Sequence, residues 1–531
     1  MLKFRKILSV ILCVCMVFSM CAIGASAEKE TDAAAVSGKK ALAELDFDVP
    51  VVFIEGIGGE FFSGGSTPDE SDDKQIWGPS ADVIVDVILK NIGKLLWLLL
   101  INDYDEISVV LGEVTDALFG EFSCDENGVP SLDTYKNGER DYELLEGRNG
   151  FDNSYYFLYD WRLDMKTIAA QLDEYIDYVM ELTSSDKVAL VAMSMGNCVL
   201  TTYLYEYYYT AEDYAERNHI DAVVYLAGAM NGVAACEDPF SGNISVDSVS
   251  LMRFLKEVLN GNGLYKFLEV LYVLGAFDPI VNYVDNLTQE LLAHGFNDAV
   301  GSNLATIPGF YALMGTERYE EAKAYFFDTA EKQQKYAKLI EKNDYYHYSV
   351  QANGVNMIQS LLDDGINTMI IAQYGYTMAP LTSDNDRMSD GVIMTERESY
   401  GATCADVDGT LGDNYKQAKE CVCGKNHVSP DNQIDASTCA FPDITWFIKN
   451  AHHSEDDDLL SDFIDLAIYG DEQMTVWTYE DYPQFLLAAD EDTLVPLTSE
   501  NAGEVVAFED AIFTAEIKAK FKVFFNSESE R

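Results

Sequence analysis

Apolar positions along this chain fall into two alternating patterns, short unbroken runs and stripes at helical spacing. Val49-Pro50-Val51-Val52-Phe53-Ile54 is the first run and reads as a short buried strand. Ser154–Tyr159 is a second strand and ends in Asp160-Trp161-Arg162. Ile168, Leu172, Tyr175, Ile176 and Val179 then share one face at a period of about 3.6 residues, which predicts an amphipathic helix. A third strand ends at Ala192, Cys198–Tyr208 reads as a helix, and Ala222–Ala227 as another strand. Thr368–Ala372 and Ile444–Ile448 add two more strands, and a helix around Leu459–Ile468 closes the series. Strands and helices that alternate through short connections predict an α/β fold, a mainly parallel sheet with helices on both faces.

Other stretches leave that rhythm. Residues 231–365 are largely helical and rich in aromatics, which reads as a large helical cap inserted over an active site. Val83–Ile101 carries Leu95-Leu96-Trp97-Leu98-Leu99-Leu100 but is broken by Lys90 and Lys94, so it is a helix rather than a span. It belongs to a candidate lid over 76–120. Two uses stay open for it: a core helix, or a lid that meets lipid transiently through Trp97 and its leucines. Lys3, Arg5 and Lys6, the apolar Ile7–Met20 and Ala25-Ser26-Ala27 together predict a signal peptide over 1–27, and hence a secreted protein. No later stretch is apolar for long enough to span a bilayer. A polar leader over 28–47, a main domain over 48–470 and a C-terminal extension over 471–531 complete the expected organisation.

Composition narrows the partners. Apolar residues make up 48%, ample for a core, while 90 Asp and Glu against 35 Lys and Arg leave a formal charge of −55. Such a surface repels nucleic acid and anionic membranes, so no nucleic-acid partner is expected. Four of the cysteines, Cys404, Cys421, Cys423 and Cys439, lie close in sequence. In an exported protein disulfides are the first reading. His427 near Cys423 makes a metal site the second, although the spacing matches no common zinc pattern. Two motifs are set aside. Gly56-x-Gly58 follows a strand but lacks the third glycine of a dinucleotide fingerprint. Asp406-Val407-Asp408-Gly409-Thr410 resembles a phosphatase motif but follows no buried strand.

The chemistry-bearing segment is Ala192-Met193-Ser194-Met195-Gly196, where a buried strand breaks into a helix at a serine. This is the nucleophile-elbow pattern of α/β-hydrolases, with alanine in the first glycine's place. Acyl transfer by serine needs a base, an acid to orient the base, and donors for the oxyanion. In chain order the acid follows the serine and the histidine comes last. His452-His453 directly follows the last predicted core strand, and His453 is the preferred base with His452 as alternative. Asp384, Asp386 and Asp390 all fall between strand and histidine. Asp390 fits best, in a Ser-Asp-Gly turn leading into Val392-Ile393. Asp490-Glu491-Asp492 is a rival that no histidine follows. Met195 N–H and Ile57 N–H, the latter in Glu55-Gly56-Ile57-Gly58-Gly59, are the expected oxyanion donors. This chemistry requires neither metal nor organic cofactor.

With Ser194, Tyr159-Asp160-Trp161-Arg162 and the Glu55–Gly59 loop in view, the chain resembles the lecithin:cholesterol acyltransferase-like family and related bacterial lipases. The Tyr-Asp-Trp-Arg segment is the most specific element. The resemblance implies serine esterase chemistry on lipid acyl esters, with Ser194, Asp390 and His453 as the triad. It also implies that Asp160, Trp161 and Arg162 support the site rather than react.

Overall fold

The computed structural model describes residues 49–57, 61–63, 74–77, 81–132, 135–136, 154–259, 263–293, 303–378, 385–421, 423–453, 459–470, 472–490 and 493–503, with a few isolated positions between them. The predicted signal peptide, the leader apart from scattered positions, Asp384 and the chain beyond 503 lie outside these residues.

The core is an eight-stranded sheet. In chain order its strands are β1 (Val51–Ile54), β2 (Ser154–Phe157), β3 (Val188–Met193), β4 (Ile220–Leu226), β5 (Asn367–Tyr374), β6 (Thr445–Lys449), β7 (Phe485–Asp490) and β8 (Thr493–Pro496). Their spatial order is β8-β7-β6-β5-β4-β3-β1-β2. Every pairing is parallel except β7 with β8, which is antiparallel. Strands β1, β3, β4, β5 and β6 are buried almost throughout, as strands covered on both faces must be. This is the α/β-hydrolase fold, with a large helical insertion between β4 and β5.

Register decides where the functional loops emerge. Ile54 pairs with Phe157 on one side and Ala192 on the other. The loops leaving β1, β2 and β3 therefore rise from one level at the carboxyl edge of the sheet, where open α/β sheets hold their ligands. Tyr374 pairs with Lys449, so the loops after β5 and β6 leave together as well.

Helices cover the sheet. Helix α3 (Met165–Thr183) buries Ile168, Leu172, Tyr175, Ile176 and Val179, the stripe expected from its spacing, and Asp164 caps its first turn by accepting Thr167 N–H at 3.1 Å. Ahead of it α1 (Ala81–Ile101) and α2 (Tyr104–Phe119) form a hairpin. Leu95, Leu98 and Leu99 of α1 and Ile107 and Val110 of α2 pack on Leu287 and Leu291 of helix α5 (Asp278–Ala293), which lies in the insertion. Trp97, Leu100 and Ile101 face outward, Trp97 at 62% exposure. No described helix is long and apolar enough to cross a membrane.

Two expectations are corrected. The boundary at 470 is too early, because β7 and β8 add two strands to the central sheet. Phe485 and Leu486 bury against β6, and Leu497 N–H closes the edge by donating to Phe485 O at 3.0 Å. The disulfide reading of Cys404, Cys421, Cys423 and Cys439 also fails: all four thiols are unbonded. Cys421 and Cys423 instead turn toward His427 and Asp443.

Candidate active site

Strand β3 hands over to helix α4 (Gly196–Leu204) through Ser194, whose backbone is left-handed at φ +53°. For a side chain with a Cβ that conformation costs about 1–2 kcal/mol, so the surroundings must hold it. Three sets of contacts do. Ser194 N–H donates to Leu226 O at 3.1 Å, and Ser194 O accepts from Ala229 N–H and Asn197 N–H, each at 3.1 Å. The Asn197 amide donates to Ala192 O, Ser194 O and Leu226 O, at 2.9, 3.2 and 2.9 Å. Gly196 lets the helix touch β1: a Cβ there would lie 2.2 Å from Ile54 O. Ala192 is fully buried between β1 and β4, in the place of the elbow's first glycine.

The loop after β6 brings His453 over this corner. Its Nε2 stands 2.9 Å from Ser194 Oγ and its Nδ1 2.5 Å from Asp390 Oδ2. The His453 backbone N–H donates to Asp390 O at 3.1 Å, so ring and main chain are held by the same residue. Asp390 is fully buried. Its other oxygen accepts Val392 N–H at 2.8 Å and Ile393 N–H at 2.6 Å. Burial alone would raise its carboxyl pKa. The facing His453 ring and the two backbone donors outweigh that and hold it below the usual carboxylate range. Ser194 and His453 are 5% and 8% exposed, so the relay is nearly dry.

His452 does not join it. Its ring stands edge-on to Tyr376 at 5.0 Å and fills the space above Gly391, where a Cβ would lie 2.7 Å from His452 Nε2. Gly391 has φ +100°, so the Ser-Asp-Gly turn needs glycine on both counts. Asp386 is solvent-exposed, and Asp490 stands at the tip of the β7–β8 hairpin.

Gly56 lies against the serine: a Cβ there would meet Ser194 Cβ at 2.8 Å. That brings the loop carrying Ile57 beside the hydroxyl. Met195 is buried at the start of α4, where a helix leaves its first N–H groups without helical partners. Among the described residues neither Met195 N–H nor Ile57 N–H is spent on a backbone acceptor.

The Tyr-Asp-Trp-Arg segment braces this edge. Arg162 is fully buried and forms a forked pair with Asp160, Nε to Oδ1 at 2.9 Å and one terminal nitrogen to Oδ2 at 2.6 Å. The same guanidinium donates to Phe122 O and Leu132 O, tying the end of β2 to the chain that follows α2. Trp161 packs between Phe122 and Phe310, the latter on the insertion helix α6 (Pro308–Ala312). Tyr159 hydroxyl donates to Glu55 O at 2.8 Å, across to the loop after β1.

Two supporting residues have little signature in the sequence. Asn197 is a polar residue in a fully buried helical turn, and that mismatch was its one available signal. Gly309 admits α6 to the site, since a Cβ there would lie 1.9 Å from Trp161 O and 3.0 Å from Met195 Cε.

Residues 152–253, which include the Tyr-Asp-Trp-Arg segment and the elbow, match the model of the lecithin:cholesterol acyltransferase family. Over that segment the chain is similar to the lecithin:cholesterol acyltransferase family. The match supports acyl-ester chemistry, as hydrolase or acyltransferase. Among solved structures, a chain of the Tle4–Tli4 complex aligns at 13% identity with a TM-score of 0.24, covering 61% of this chain and 75% of the other, too loosely to carry an argument. No curated protein matches the chain.

Proposed function

We propose that the chain is a secreted serine esterase acting on lipid acyl esters, as a lipase, phospholipase or acyltransferase. Ser194 Oγ attacks the ester carbonyl while His453 Nε2 takes its proton, and Asp390 holds the ring with Nδ1 protonated and stabilises the imidazolium. Met195 and Ile57 N–H groups receive the oxyanion, each donor of this kind lowering the barrier by about 3 kcal/mol. His453 then returns the proton to the departing alkoxide. Water or an alcohol, deprotonated by the same ring, releases the acyl group from Ser194.

The observation that carries this reading is the unbroken contact from Asp390 through His453 to Ser194, at 2.5 and 2.9 Å. The lipid preference draws support from the outward Trp97, Leu100 and Ile101 on a hairpin packed against the insertion.

A fluorophosphonate probe tests the chemistry: it should label the chain and fail on Ser194→Ala. An unlabelled chain removes the enzyme reading and leaves a binding protein on a hydrolase scaffold. Turnover of esters of increasing acyl length, below and above the micelle threshold, tests the substrate. A rate that rises at the threshold fits a lipid interface, and a rate indifferent to it makes the protein a soluble carboxylesterase.

A further inference from the structure

Away from the serine, residues 403–443 form an excursion with little regular structure. It holds the two-residue strands Thr403–Cys404 and Ile434–Asp435, which pair with each other, and a single turn at Ala436–Thr438. Within it four ligand-type side chains converge. Donor atoms of Cys421, Cys423, His427 and Asp443 all lie within 4.8 Å of one another. Cys423 Sγ is 3.1 Å from His427 Nε2, and Asp443 Oδ1 is 3.8 Å from both His427 Nε2 and Cys421 Sγ. A tetrahedral ion bound at roughly 2.0–2.3 Å would set its donors about 3.3–3.8 Å apart, close to these spacings.

The surroundings prepare the donors. His427 is fully buried and its Nδ1 faces Gln484 Oε1 at 2.6 Å. The Gln484 amide nitrogen already donates to Pro442 O and Thr445 O, at 2.6 and 3.1 Å, so its oxygen must be the atom facing the ring. Nδ1 therefore carries the hydrogen, and the Nε2 lone pair points into the cluster, as in a metal-ligating histidine with an outer hydrogen-bond partner. Each sulfur accepts a backbone N–H, Cys421 from Cys423 and Cys423 from Lys425. Gly424, at φ +71°, closes the turn that brings the two thiols round. A thiol-to-imidazole hydrogen bond accounts for the 3.1 Å contact. Asp443 Oδ1 also accepts from Trp477 Nε1 at 3.2 Å and faces Cys421 Sγ at 3.8 Å, but pairwise bonds of this kind do not require all four donors to surround one point.

We propose that Cys421, Cys423, His427 and Asp443 form a four-coordinate structural zinc site. Two sulfurs, one imidazole and one carboxylate suit that borderline-soft ion, and four protein donors leave no open position for catalysis. On binding, the ion displaces the two thiol protons to solvent. It would fasten the excursion to the starts of β6 and β7, through Asp443 and Gln484, beside the small apolar cluster that Ile434, Ala436 and Cys439 form with Phe447 and Phe485.

The full chain, purified reduced and without chelator, should carry one zinc per chain by elemental analysis. Cobalt exchanged into the site should give intense four-coordinate bands with a cysteine-to-metal charge-transfer band. Cys423→Ser and Asp443→Asn should lose the metal, while Cys404→Ser, whose thiol lies outside the cluster, should keep it. Chelation should lower the unfolding temperature of the unmutated chain and leave that of Cys423→Ser unchanged. A chain that takes up no zinc when offered it, a weak six-coordinate cobalt spectrum, equal metal in all variants, or a disulfide at Cys421 or Cys423 in the isolated protein would each overturn the proposal. If Cys423→Ser does not fold, the cobalt spectrum of the unmutated chain decides. Fluorophosphonate labelling of Ser194 reads the active site separately, so the two readings fail independently.

Discussion

Replacing Asp390 by asparagine exchanges one oxygen for an NH2 group and reverses the logic of the relay. Oδ1 accepts from Val392 N–H and Ile393 N–H, two fixed donors that an asparagine oxygen satisfies equally. The new NH2 must then take the Oδ2 position, 2.5 Å from His453 Nδ1. A donor there forces Nδ1 to become an acceptor, so the ring proton moves to Nε2, the atom facing Ser194 Oγ. A protonated Nε2 has no lone pair for the serine proton. The same exchange in a well-studied serine protease lowers kcat about 10⁴-fold, or roughly 5 kcal/mol of barrier. Asp390→Asn should therefore drop kcat on a short soluble ester by that order with KM nearly unchanged. Its unfolding temperature should stay close to that of the unmutated chain, because shape and both backbone bonds persist. A variant within tenfold of the unmutated rate, with the fold intact, would mean that Asp390 does not set the tautomer of His453, and the proposed mechanism would be wrong.

Gly196→Ala should destabilise the fold and abolish fluorophosphonate labelling together, since the new methyl would stand 2.2 Å from Ile54 O and 2.8 Å from Glu55 O, both main-chain atoms. Thermal unfolding should show a loss of about 1–3 kcal/mol or more, and an unchanged midpoint would contradict the close helix–strand approach. Burial pushes the His347 pKa down to about 4 from its ordinary 6.5, against hydrogen bonds to the Gln351 side-chain oxygen and the Tyr311 carbonyl that act to raise it. The folded ring thus stays neutral where the unfolded one takes a proton. Its contribution is complete above pH 6.5 and drains away as pH falls toward 4, by about 3 kcal/mol at most. Urea midpoints of the chain and of His347→Gln, compared across that range, isolate the effect because the acidic residues titrate in both. A difference that does not vary with pH would refute it.

Much of this architecture was legible because its strands are short, apolar and bounded by turns. Val51–Ile54, Val188–Met193 and Thr445–Lys449 are buried on both faces and read as unbroken runs. With those strands placed, Ser194 and His453 stand out as chemistry-bearing residues just past strand ends, and Asp390 as the carboxylate of a Ser-Asp-Gly turn between the last two of them. Strands β7 and β8 carry no such run, since β7 is buried only over its first half and ends in Asp490, and every residue of β8 is half-buried. The sequence around Cys421 and Cys423 points to disulfides first and a metal second, because spacing along the chain does not show that Asp443 and Gln484 close around the pair. Gly309 was invisible for the same reason: what forbids a side chain there is Trp161 O, far away in the chain. Residues marked by their own local pattern can be read from the sequence, and those marked only by what a distant segment places against them cannot.

The left-handed corner at position 194 has a practical outcome for anyone improving this protein. Glycine would sit there at ease, so the most heat-resistant versions of the loop are those without a hydroxyl. A library screened for durability alone will drift toward inert molecules, and only a screen that demands turnover in every round will keep the tension that makes the corner useful.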